Sequence, residues 1–67
     1  MASRIVTGVI IRIVVTETRI EIELRGHRGK LYSNDRDMIR RVDSWCAVGM
    51  TVSFDIDPRD NEIIGLC

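Results

Sequence analysis

Arg25, His27, Arg28 and Lys30 fall within one glycine-punctuated segment, Arg25-Gly26-His27-Arg28-Gly29-Lys30, and Tyr32 follows closely. Guanidinium forks and an ammonium grip phosphates, and an aromatic ring beside them stacks on a base. One such stack is worth roughly 1–3 kcal/mol, so a single tyrosine makes a thin platform. Arg19 precedes this group, and Arg40 and Arg41 follow it. The candidate nucleic-acid-binding set is therefore Arg19, Arg25, His27, Arg28, Lys30, Tyr32, Arg40 and Arg41. The bland reading leaves His27 idle in a solvated loop and Arg36, Arg40 and Arg41 on the wet side of a helix.

A second group is acidic: Asp55, Asp57, Asp60 and Glu62. Calcium would need six to eight oxygens on a shaped loop, and no such motif occurs here. Two readings remain for these carboxylates. They form a solvated, charged turn that discourages strand-to-strand aggregation, or they form a docking face for a protein partner.

Other chemistry finds no support. There is no glycine-rich phosphate loop, no paired-cysteine zinc motif and no nucleophile elbow. No general base is marked beside Ser33, Ser44, Ser53, Cys46 or Cys67. Cys46 and Cys67 are too isolated in sequence for a metal cluster and read as free thiols in a reducing cell. The expectation is a chain without catalytic residues, metal or cofactor.

The elements that would position these groups are mostly strands. Ile5 to Thr16 is rich in β-branched residues and lacks proline. Ile5, Val9, Ile11, Ile13 and Val15 share one face of it, which leaves Val6, Ile10 and Val14 as a surplus on the other. A bend at Gly8 within a curled barrel strand would cover that surplus, and so would a homodimer or other protein partner. Thr18, Ile20, Ile22 and Leu24 alternate with Arg19, Glu21, Glu23 and Arg25, the signature of a half-buried second strand. Leu31-Tyr32-Ser33 is a short third strand.

From Asn34 to Cys46 the period changes. Asn34 is suited to cap a helix, with Asp37 in its first turn. Met38, Val42 and Cys46 recur on one face, with Ile39 and Trp45 leaning the same way to pack the helix onto the strands. Met50, Val52, Phe54 and Ile56 then alternate with Thr51, Ser53, Asp55 and Asp57 as a fourth strand, with Phe54 in the core. Asp57-Pro58-Arg59-Asp60-Asn61 is a turn, and Ile63 to Leu66 is the closing strand. The expected fold is all-β: a small five-stranded OB-like Greek-key barrel with one short helix between strands 3 and 4, spanning residues 1–67 as one domain.

Sixty-seven residues support one small core and leave little of it for a deep enclosed pocket. Ten basic and ten acidic residues cancel, which argues against a strong non-specific hold on duplex nucleic acid. The distribution is uneven, with residues 1–30 at net +3 and residues 55–67 at net −3. These charges would stand as separate basic and acidic sides, or neutralise each other across neighbouring strands. No apolar run is long enough to span a bilayer and no signal peptide is visible, so a cytoplasmic location without membrane contact is expected.

Several segments carry a family likeness: Val6-Thr7-Gly8, Ile20-Glu21-Ile22-Glu23-Leu24, Met38-Ile39-Arg40-Arg41-Val42 and Val48-Gly49-Met50-Thr51-Val52. In order and length the chain resembles bacterial translation initiation factor one, a small OB-fold family. The resemblance implies the fold, and it implies single-stranded nucleic acid binding across strands 2 and 3 at Arg19, Arg25, Arg28, Lys30 and Tyr32. The chain departs from that family in its neutral charge, its short third strand and its acidic closing hairpin, so the ribosomal role is not carried over. Two functions remain as expectations. One is a module for single-stranded RNA or DNA. The other is a protein-interaction or assembly module, such as an inhibitor or adaptor of the phage or plasmid kind.

Overall fold

Strand β1 (Arg4–Val15) has apolar side chains on both faces, and a bulge explains how both are used. The computed structural model describes residues 2–67. After β1 come β2 (Ile20–Leu24), β3 (Leu31–Ser33), helix α1 (Arg36–Trp45), β4 (Thr51–Asp57) and β5 (Glu62–Leu66). The five strands form one mixed sheet in the order β1-β2-β3-β5-β4, and β4 pairs back onto β1. All pairs are antiparallel except β3 with β5, which are parallel.

Ile10 stands opposite Leu24, but Arg12 stands opposite Glu23, so Ile11 is an extra residue in the ladder. An extra residue reverses the phase of every side chain beyond it. Val6 and Ile10 therefore point inward before the bulge, at 8% and 0% exposure, and Ile13 packs on the core after it. This corrects two expectations. The bend lies at Ile11 and not at Gly8, and Val6 and Ile10 belong to the core rather than to a partner's interface. Val14 is half-buried, while Ile5, Ile11 and Val15 are exposed. Gly8 serves another purpose: a Cβ there would sit 3.3 Å from the Leu24 Cβ, so its absence lets β1 cross tightly over the end of β2.

The core consists of Val6, Ile10, Ile20, Ile22, Leu24, Leu31, Met38, Val42, Phe54, Ile56 and Ile63. Burying each large apolar side chain contributes about 1.5–3 kcal/mol against the entropy of ordering the chain. The inward set of β2 is the one its alternation predicts, and Phe54 is fully buried as expected.

Helix α1 begins one residue later than the sequence suggests. Asp35, not Asn34, is the cap: its side chain accepts the Met38 amide at 2.9 Å. Asn34 is diverted, accepting from Arg19 Nη1 at 3.4 Å. Buried Ser33 steadies this start by accepting the Asp35 amide at 3.1 Å. Met38 and Val42, four apart, seat the helix on the core, and Ile39 and Cys46 pack partly against it. Trp45 does not join them. It lies outside at 74% exposure, although its spacing from Met38 and Val42 places it toward their face of the helix.

Candidate functional site

The outer face of β2 and β3 gathers several of the predicted binding residues, but mostly in self-neutralising pairs. Arg19 Nε donates to Glu21 at 3.0 Å. Lys30 Nζ lies 4.0 Å from Glu21 and 3.9 Å from Glu23. Alternation on β2 puts both glutamates on the wet side beside the cations, so the charges cancel across neighbouring positions. Tyr32 is engaged as well. The Arg19 guanidinium lies over its ring, 4.2 Å from the centroid, and its hydroxyl donates to Asp60 at 3.0 Å. That hydrogen bond to a carboxylate raises the phenol's pKa above its usual value.

The Arg25–Lys30 loop bends through Gly26 and Gly29, both at φ 79°, a backbone region that favours glycine. Arg25 and Arg28 are exposed and make no ion pair among the described residues. His27 is half-buried rather than exposed, and its Nε2 is buried with no partner among the described residues. With Ile11, Glu23, Leu24, Gly29 and Lys30 it lines a cleft of about 240 Å³. Arg40 and Arg41 lie on α1, and Arg41 faces a different site.

The acidic group spans β4, with Asp55 and Asp57, the β4–β5 turn, with Asp60, and β5, with Glu62. The β4–β5 ladder carries a second bulge, with Ile64 of β5 as the extra residue between Gly65, opposite Asp55, and Ile63, opposite Ile56; Phe54 and Ile56 keep the expected alternation of β4. Asp57, at the end of β4, is nonetheless buried, at 8% exposure. It accepts the Arg59 amide at 3.0 Å and the Arg59 guanidinium at 2.8 Å. Those bonds to Arg59 hold the Asp57 carboxyl below its usual pKa, and raise that of Arg59. Asp60 accepts the Glu62 amide at 3.1 Å in addition to the Tyr32 hydroxyl. Asp55 Oδ1 is buried with no partner among the described residues. Asp57 and Asp60 thus shape the β4–β5 turn and tie it to β3.

A wider groove lies elsewhere. Trp45 and Cys46 at the end of α1, Met50 to Ser53 at the start of β4, and Leu66 and Cys67 at the end of β5 line an apolar groove of about 740 Å³. Among the described residues, Arg41 is the one charged side chain lining it. Val48 and Met50 stand out at 63% and 42% exposure, so the groove continues an uncovered apolar patch. Both cysteines open onto it as free thiols, and burial pushes the Cys46 thiol's pKa up. Trp45, Met50 and Leu66 were not expected here. A sequence signal existed, because Ser44 to Phe54 is the longest charge-free stretch of a chain in which 30% of residues are charged.

Among the described residues, no group of three or more His, Cys, Asp or Glu side chains is placed to hold a metal ion. No helix among them is long and apolar enough to cross a membrane. No protein family, curated protein or solved structure matches the chain.

Proposed function

We propose that the protein is a non-catalytic, OB-like Greek-key barrel whose role is to bind a segment of another protein. The strand order β1-β2-β3-β5-β4, the parallel β3–β5 pair and a helix between β3 and β4 support the OB-like reading. The observation that carries the protein-binding reading is the groove, where Trp45 stands 74% exposed beside Met50 and Leu66. A tryptophan left in water at an apolar groove keeps roughly 150–250 Å² of contact surface available, and interface anchors are enriched in tryptophan.

The nucleic-acid reading draws on Arg25 and Arg28. It meets a β2–β3 face on which Arg19 and Lys30 already have carboxylate partners. Binding phosphate there would break those pairs, and Glu21 and Glu23 would repel it.

The test is a two-arm titration read by Trp45 emission, since the chain has one tryptophan. A neutral leucine-containing peptide should shift the emission to the blue and saturate. Fluorescently labelled single-stranded RNA and DNA, at about 50 mM salt, should show no salt-dependent binding. The opposite pair of results would overturn the proposal and restore the nucleic-acid reading.

A further inference from the structure

The groove lies where β4 outruns β5. On one side β4 pairs with β1 as far as Thr51, opposite Val9. On the other side its ladder with β5 reaches Phe54, opposite Leu66, and the last bond runs from the Cys67 amide to the Ser53 carbonyl at 3.1 Å. The Met50 carbonyl accepts the Ile10 amide at 2.9 Å, so the Met50 backbone faces β1. Backbone groups alternate sides along a strand. The N–H and C=O of Thr51 therefore face the groove, on the side where β5 has ended.

Resting on the protein-binding reading of this groove, we infer that its occupant is an extended segment that adds beside Thr51 of β4, carrying apolar side chains interspersed with carboxylates. The free backbone edge selects an extended partner over a helix, because an extended chain can satisfy the Thr51 groups. Successive side chains of an added strand point to opposite sides. One set enters the apolar trough between Trp45, Met50 and Leu66. The acidic character follows from charge: Arg41 is the groove's one charged side chain and has no ion-pair partner among the described residues. A carboxylate beside it gains a forked partner without displacing an existing one.

The experiment uses two blocked hexapeptides, one alternating glutamate with leucine and one alternating lysine with leucine, titrated to about 1 mM. The glutamate peptide should bind at least tenfold more tightly by Trp45 emission, and it should slow hydrogen exchange of the Thr51 amide at least tenfold. Arg41→Glu should reverse the charge preference. Thr51→Pro removes an N–H that faces the groove and not β1, so it should weaken the glutamate peptide while circular dichroism and Tm stay near wild type. Should that variant unfold, Thr51 exchange in the wild-type protein still decides the point. Binding of both peptides with equal affinity, or without Thr51 protection, would overturn the inference and leave the protein-binding reading standing. Failure of both peptides to shift Trp45 emission would sink both readings. Doubling of the protein's mass in light scattering, with Thr51 protected in the absence of peptide, would assign the edge to a second copy and overturn the inference.

Discussion

The outer face of β2–β3 and the groove at the end of β4 differ in how far each satisfies itself. On the first, Arg19, Lys30, Glu21, Tyr32 and Asp60 are each other's partners. On the second, Trp45, Met50 and Leu66 lie open, Arg41 has no partner among the described residues, and the Thr51 backbone faces past the end of β5. A ligand at the first face must compete with internal bonds. A ligand at the second replaces only water. Residue type alone is therefore a poor guide to a site, because cations matter to a partner only when their own neighbours leave them free.

The largest expected effect breaks the comparison at its anchor. Trp45→Ala should cut peptide binding at least tenfold, as truncation of a buried interface tryptophan commonly costs about 2 kcal/mol or more. It should change folding stability by no more than about 0.5 kcal/mol, the usual range for an exposed position. Phe54→Ala, at a fully buried position, should instead lose about 3–5 kcal/mol in urea melts. Equal destabilisation by the two would show that Trp45 serves packing and not binding.

A smaller effect comes from unlocking the first face. Glu21→Gln with Glu23→Gln removes the carboxylates that hold Arg19 and Lys30. Stability should move by no more than about 1 kcal/mol, because the pairs are partly exposed and screened. Weak binding to single-stranded RNA should appear, falling with salt at a log–log slope of about −0.7 for each phosphate contacted. An unchanged oligonucleotide titration would mean that pairing is not what silences this face.

The smallest effect concerns pH and the turn that anchors Tyr32. Arg59 holds the Asp57 carboxyl below its ordinary pKa. The folded state therefore binds this proton less readily than the unfolded chain. The associated stability is fully present above the unfolded carboxyl value, at about pH 4, and it is lost as pH falls through the lower folded value. Denaturant melts of wild type should weaken over that acid range, and Asp57→Asn should flatten that part of the profile. Identical acid profiles for the two proteins would remove Asp57 from the account.

Much of the fold was legible in the chain. Alternation placed Ile20, Ile22 and Leu24 inward, Leu31 to Ser33 formed a strand, and the four-residue spacing of Met38 and Val42 set the helix on the core. A bulge defeated the reading of faces in β1. Alternation arguments assume one residue against one, and an extra residue at Ile11 inverts every side chain of β1 beyond it. Asn34 and Asp35 are equally good caps by type, and Arg19 decided between them by engaging Asn34. The basic set was legible as residues but not as a surface, since the pairing of Arg19 and Lys30 depends on which acids lie across the sheet.

By itself the sequence determined a small strand-rich chain with one helix, a core of Ile, Leu, Val and Phe, and no recognised catalytic motif. Those properties come from composition and local periodicity, which act over a few residues. The tertiary structure alone decided which charges cancel and which apolar residues remain uncovered. It set Glu21 beside Lys30, turned Trp45 outward, and ended β5 short of Thr51. Each of those outcomes depends on where one strand stops or slips against another, and residues distant along the chain settle that only once they pack.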